Sequence, residues 1–115
     1  PEDIYHFRLL HEEPNYVTLK KVRSKVIIEK DIKNENLEGR IVFIESADPG
    51  YDFLFSKGIG GLITQFGGAN SHMAIRCAEL GIPAVIGVGE RNFKEWCQAE
   101  VIEIDGLNKQ VRVIS

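Results

Sequence analysis

The sequence predicts an α/β domain, with strands at both ends and βαβ-like units between them. Three observations carry this. Three short runs rich in branched and apolar residues punctuate the middle of the chain: "IVFIES" (41–46), "LITQ" (62–65, its end falling at 64 or 65) and "AVIGV" (84–88). Bounded by turn residues, runs of this length read as buried strands. Between them lie segments with helical spacing or a helix-stopping glycine, an alternation that places the three strands parallel and side by side. The C-terminal stretch "EVIEIDGLNKQVRVIS" alternates apolar and polar residues about a turn-rich centre, the pattern of a β-hairpin.

The first residues, "PEDIYHFRLLHEEPNY", have weak periodicity and a break at Pro14, and predict no helix. Residues 16–30 alternate in places and end in the β-branched run "VII"; they read as one strand, or as two with "RSK" as the turn. "DIKNENLEGR" is a polar loop ending near Gly39, ahead of the strand at 41–46. Asp48-Pro49-Gly50 is a turn signal, and "YDFLFSK" fits one or two helical turns closed by Gly58. Met73, Ala74, Cys77, Ala78 and Leu80 lie at helical spacing, with Gly81 as the C-cap and Pro83 beyond. "NFKEWCQ" predicts a short helix with Phe93, Trp96 and Cys97 on one face. The hairpin turns at Asp105-Gly106 or at Leu107-Asn108.

Composition narrows the function classes. The 115 residues make one domain by length, large enough to bury a core without staples. A net charge of −3 gives no electrostatic footprint for nucleic acid or for an anionic membrane surface. No apolar run approaches the length of a membrane span. Cys77 and Cys97 form no CxxC pair and suit reduced thiols, which predicts a cytoplasmic protein. A chain that starts at Pro1 is expected to be a piece of a longer one.

The chemistry concentrates in "TQFGGANSHM", residues 64–73. In open α/β sheets ligands gather at the carboxyl ends of strands, beside helix N-termini. Gly67 and Gly68 permit positive φ and leave no side chain between backbone N–H groups and a ligand. Asn70 or Ser71 can cap the helix, and His72 falls in its first turn, where free N–H groups and the helix dipole favour an anion. The same dipole disfavours an imidazolium, which leaves a neutral, nucleophilic ring. A phosphoryl-accepting histidine needs that combination, with donors that hold the charge spread over the transferring group. The plainer reading is a tight strand-to-helix turn with a capping or surface histidine. Residue types alone do not decide between the two.

The order of the residues does more. "TQFGGANSHMAIRCAELGIPAVIGV" closely resembles the phosphohistidine, or mobile ("swivelling"), domain of phosphoenolpyruvate-utilising enzymes such as pyruvate phosphate dikinase and phosphoenolpyruvate synthase. That family's pattern is approximately T-x-x-G-G-x-x-S-H-x-A-I-x-A-R-x-x-G-I-P-A-V-V-G. Thr64, Gly67, Gly68, Ser71, His72, Ala74, Ile75, Gly81, Ile82, Pro83, Ala84, Val85 and Gly87 fall on it without a gap. The preceding "LEGRIVFIESADPG" and "KGIGGLI" are similar to the family's approach to the motif.

The resemblance implies a single compact swivelling β/β/α domain, with central parallel strands and a C-terminal hairpin, cut from the C-terminal part of a multidomain phosphotransferase. His72 would carry the phosphoryl group. Gly67 and Gly68 would form the phosphate loop, and Thr64, Asn70 and Ser71 its polar lining. Magnesium, with ATP or phosphoenolpyruvate, would bind not here but in partner domains: a nucleotide-binding domain of ATP-grasp type and a phosphoenolpyruvate/pyruvate-binding domain. Two positions depart from the pattern. Asn70 stands where the family commonly has threonine, and Ala78 stands at the family's arginine. Arg76 is two residues earlier, about 200° round a helix, and cannot simply replace it.

Other chemistry finds less support. "GIGG" at 58–61 lacks the third glycine of a dinucleotide fingerprint, since residue 63 is Ile63, and it precedes a strand. His6, His11, His72, Cys77 and Cys97 show no metal-ligand spacing, so no metal site is expected. The cysteines read as small buried hydrophobes, and His6 and His11 as solvated. Tyr51, Phe53 and Phe55 read as core-facing aromatics, and Asp48 as a turn residue rather than half of a carboxylate pair with Asp52. The rival from another class is a catalytically silent swivelling fold used for regulation or docking. Substituting valine for Gly68 is expected to impair both folding and phosphate binding.

Overall fold

The computed structural model describes residues 14–115. The expectations for the preceding residues, His6 and His11 among them, lie outside it. Among the described residues, seven strands form one mixed sheet: β1 (Asn15–Val17), β2 (Lys21–Ile28), β3 (Ile41–Ser46), β4 (Gly61–Phe66), β5 (Ala84–Ile86), β6 (Val101–Asp105) and β7 (Gln110–Val113), in the order β1-β5-β4-β3-β2-β6-β7. Strands β2, β3, β4 and β5 pair parallel to one another, and β1, β6 and β7 join antiparallel. The predicted parallel centre and C-terminal hairpin are both present.

Alternation along the central strands divides the core in two. Val42 and Ile44 of β3, Leu62 of β4, and Ala84 and Ile86 of β5 face one layer. Ile41 and Phe43, Ile63 and Val85 face the other. All of these side chains are inaccessible to solvent. Burial on both faces is why the runs read as continuously apolar. The first layer is covered by helix α1 (His72–Leu80) through Met73, Ala74 and Cys77, and by Leu54 of a 3-10 segment, Pro49–Lys57. The second is covered by Phe93 and Trp96 of α2 (Gly89–Trp96), and by Ile102 and Ile104 of β6. The sheet curls enough for Ile104 to lie over Gly61 of β4, two strands further in than its hydrogen-bonded neighbour: a Cβ on Gly61 would stand 3.2 Å from Ile104 Cδ1.

The structure corrects several local expectations. "RSK" is not a turn: β2 runs through it, because Lys21–Lys25 pair with β6 and Val26–Ile28 pair with β3, so each half of the strand has its own partner. The break falls earlier, after β1, where Thr18 takes φ +67°. "YDFLFSK" belongs to a 3-10 segment rather than an α-helix; it starts at Pro49, with the Asp48 carboxylate accepting from Gly50 N–H at 2.7 Å, and closes at Gly58 with φ +70°. "AVIGV" is strand only to Ile86, since Gly87 turns away at φ +78°. The last hairpin turns across both proposed dipeptides, pinned where Asp105 accepts from the Asn108 backbone at 3.1 Å and its side chain at 2.8 Å. Cys77 is buried, Cys97 only partly so, and Phe53 is exposed while Tyr51 and Phe55 pack on the core. Among the described residues no helix is long and apolar enough to cross a membrane.

Candidate functional site

The carboxyl ends of the parallel strands β3 and β4 send out two segments, and these make the site. From β3 comes the 3-10 segment carrying Asp52. From β4 comes the loop Gly67 to Ser71, followed by α1, whose first residue is His72. Ser71 is the residue that caps the helix: its side-chain oxygen accepts from Ala74 N–H at 3.3 Å, and its own N–H donates to the Gly68 carbonyl at 3.0 Å. Asn70 is exposed, and no side-chain cap of the helix by Asn70 is seen.

The root of the loop is locked from beneath. Thr64 is fully buried; its hydroxyl donates to the Phe66 carbonyl at 2.9 Å and accepts from Gly87 N–H at 3.1 Å. That tie binds the exit of β4 to the exit of β5. Gly67 stands at φ +132°, where a Cβ would meet Ala47 Cβ at 2.7 Å and Ile86 Cγ2 at 3.0 Å. A Cβ on Gly87 would strike the Gly67 carbonyl oxygen. The two glycines therefore let two backbones pass in contact, as only glycine can. Gly68 differs: its φ is unexceptional and a Cβ there would meet nothing within 4 Å. Its lack of a side chain keeps the loop surface bare, so the expected folding defect of a valine at 68 has no steric cause here.

His72 projects from the helix start with 41% of its side chain exposed. Its Nε2 lies 2.9 Å from Asp52 Oδ1. The same oxygen accepts from Arg76 Nε at 3.4 Å. Arg76 is four residues after His72 and so shares its helix face. Its guanidinium sits 5.5 Å from the Phe55 ring centroid, and its Nη1 reaches Glu79 Oε1 at 3.5 Å. The hydrogen bond from His72, with the Arg76 charge adding to it, holds the Asp52 carboxyl below the ordinary carboxylate range. An ionised carboxylate only accepts, so Nε2 carries the ring proton in this contact.

The structure thus gathers Gly67, Gly68, Ser71 and His72 beyond the carboxyl end of the interior strand β4, leaves Asn70 exposed, and buries Thr64 within that strand. Sequence reasoning weighed Asp52 only as a carboxylate partner of Asp48, not as a partner of His72, and set Arg76 aside. The spacing of Arg76 from His72 was a readable signal, since i and i+4 share a face. Asp52 carried none: the predicted parallel strands put the exits of β3 and β4 side by side, but nothing in the sequence says which residue of the connection after β3 meets His72. Among the described residues no group of three or more His, Cys, Asp or Glu side chains is placed to hold a metal ion.

Comparison with known proteins bears on the same stretch. The model of the PEP-utilising enzyme mobile domain matches residues 36–109. A rifampicin phosphotransferase of Bacillus cereus is 36% identical over 93 residues, which is 80% of this chain and 10% of that protein. A phosphoenolpyruvate synthase of Aquifex aeolicus is 33% identical over 72 residues, 63% of this chain and 8% of that protein. The chain therefore spans about a tenth of the length of the curated relatives it matches. Among solved structures, a UPF0107 protein studied in solution by NMR is similar in fold, with a TM-score of 0.66 at 14% identity, covering 90% of this chain and 98% of its own. With the family model matching residues 36–109, the chain belongs to the mobile-domain family of PEP-utilising enzymes.

Proposed function

We propose that the chain is the phosphoryl-carrier domain of a multidomain phosphotransferase, with His72 as the residue that is loaded and unloaded. The observation that carries this reading is the position of His72: first residue of α1, side chain open to solvent, behind a bare glycine loop at the carboxyl ends of parallel strands. A carrier must meet two sites in turn, so its nucleophile has to stand at a surface rather than in a cleft. In the reaction, an imidazole nitrogen lone pair of His72 attacks the phosphorus, and the bridging P–O bond breaks with its electron pair on the donor oxygen. The backbone of Gly67 and Gly68 and the start of α1 face the charge on the transferring group. Thr64 acts from below, holding the loop's shape. The donor is ATP or phosphoenolpyruvate, bound with magnesium by partner domains of the longer protein, and a second partner domain takes the group onward.

The test is direct. Full-length protein is mixed with magnesium and either γ-labelled ATP or labelled phosphoenolpyruvate, and acid-labile, base-stable label is mapped by mass spectrometry. Label on His72 that is lost in His72→Ala is the expected result, and the effective donor identifies the partner domain. His72→Ala should retain stability within about 0.5 kcal/mol, as exposed substitutions usually do. A folded protein that takes label from neither donor would refute the carrier reading in favour of a docking or regulatory module.

A further inference from the structure

We propose that the Asp52 carboxylate is a built-in stand-in for the phosphoryl group: at rest it holds His72 and Arg76, and when Nε2 is phosphorylated the phosphoryl oxygens displace it and take over Arg76. This rests on the part of the carrier reading that makes His72 the phosphoryl-accepting residue, not on its donor or its onward transfer. The geometry leads there in three steps. First, one oxygen, Asp52 Oδ1, is shared by His72 Nε2 at 2.9 Å and Arg76 Nε at 3.4 Å. Two donors on one helix face converge on a single point occupied by a negatively charged oxygen. That point is an anion site, filled by the protein's own carboxylate.

Second, the occupant excludes the substrate. The carboxylate lies along the direction in which an N–P bond at Nε2 would form, because the N–H it accepts and the lone pair that replaces it point the same way. A phosphoryl group brings nearly two further negative charges to that spot. Carboxylate and phosphoryl cannot share it, so loading requires Asp52 to leave.

Third, the parts that must move and the part that must stay are built accordingly. The Asp52 side chain is already 46% exposed, so it can turn into water without first leaving a buried position. Arg76 is held from two sides, by the Phe55 ring and by Glu79, so its guanidinium remains when the carboxylate goes. A planar guanidinium matches phosphoryl oxygens with two parallel N–H bonds, better than the one contact it makes to Asp52. Arg76 thereby supplies a cation that Ala78 cannot. The step balances as follows. The Nε2 proton is released through Asp52 to solvent while Nδ1 takes one up, which keeps the ring neutral. The Nε2 lone pair then bonds to phosphorus, and the donor's bridging bond breaks with its electron pair on the leaving group.

The experiment uses potassium phosphoramidate, a donor that needs no partner domain, on the full-length protein and on Asp52→Asn, Arg76→Gln and Arg76→Lys. His72 phosphate is quantified by mass spectrometry, with His72→Ala as the blank. Its isomer is read with isomer-specific phosphohistidine antibodies, and its lifetime is followed after removal of the donor. The expected results are phosphate on Nε2, several-fold faster loading in Asp52→Asn, and a lifetime shortened roughly tenfold in Arg76→Gln, the scale of a lost charge-assisted hydrogen bond. Arg76→Lys should recover part of that lifetime, and it carries the test if the glutamine variant fails to fold. Phosphate on Nδ1, an Arg76→Gln lifetime equal to wild type, or loading slowed in Asp52→Asn would each overturn the proposal. So would a folded wild type that takes no phosphate on His72 from phosphoramidate. Phosphoramidate behaviour as expected, with no transfer from ATP or phosphoenolpyruvate, would instead sink the carrier reading and leave the anion exchange standing.

Discussion

Gly67 and Gly68 are adjacent and belong to one motif, yet the structure predicts opposite consequences for replacing them with alanine. At Gly67 the new methyl would sit 2.7 Å from Ala47 Cβ and 3.0 Å from Ile86 Cγ2, on a backbone at φ +132°. That φ lies in territory that L-residues scarcely occupy, at a cost of roughly 1–3 kcal/mol. Forcing a methyl between the β3 exit and β5 adds roughly 1–3 kcal/mol of overpacking. Reduced freedom of the unfolded chain returns only about 0.4–1 kcal/mol. The net loss for Gly67→Ala is therefore about 3 kcal/mol, or a fall in Tm on the order of 10–20 °C. At Gly68 the methyl meets nothing, and the expected change is within about 0.5 kcal/mol of wild type. Urea unfolding followed by the fluorescence of Trp96, which packs on the second core layer, reads both variants on one scale. Equal losses in the two, or a Gly67→Ala protein as stable as wild type, would refute the division of labour between loop root and loop surface.

Three further outcomes follow from the same geometry. The Asp52 carboxyl, observed by carbon NMR, should titrate below the ordinary carboxylate range and return towards it in His72→Ala, since the histidine hydrogen bond is the main cause of the depression. Because the folded value is the lower one, the contact is intact above the ordinary carboxylate range and is lost as pH falls through the depressed midpoint; an unmoved midpoint in His72→Ala would contradict this. Cys77, whose thiol burial pushes up to about 12, should resist alkylation at pH 8 until the protein unfolds, while the partly exposed Cys97 reacts; modification of both at one rate in native protein would show that α1 is not seated as described. Thr64→Val keeps the volume but removes the tie between Phe66 and Gly87, and should cost about 1–3 kcal/mol with His72 labelling reduced rather than abolished. Complete loss of labelling in a folded Thr64→Val protein would mean that the hydroxyl acts on the phosphoryl group itself.

The parts of the fold that were legible in the sequence are those governed by local physics. The runs that became β3, β4 and β5 read as buried strands because the apolar residues at their centres are covered on one face or the other. The cap of α1 and its stop at Gly81 were written in Ser71 and in a glycine that takes φ +71°. Partner choice was not legible. Nothing local tells "RSK" that β6 will pair on one side of it and β3 take over three residues later. The polar alternation there suits an exposed strand and a turn equally well, and tertiary pairing decided between them. Nor could the pattern distinguish an α-helical turn from the 3-10 geometry that follows Pro49.

The site divides along the same line, and there the division has a chemical meaning. Residues consecutive in the chain, from Thr64 to His72, give the motif its shape, so their roles could be posed from sequence as a loop, a cap and a nucleophile. The charges that meet His72 come from a helix turn further on and from the connection after a different strand. In the carrier role proposed for His72, the motif would record what the backbone must do to admit a phosphoryl group, and not which side chains would compete with that group or hold it. Arg76 illustrates the difference. Measured against the family's pattern it looks misplaced, two residues before the position now filled by Ala78. Measured against the helix it is in register with His72, and it reaches the same oxygen of Asp52. Recognition by charge depends on where guanidinium and imidazole meet in space, and a helix offers more than one sequence position from which an arginine can reach that point.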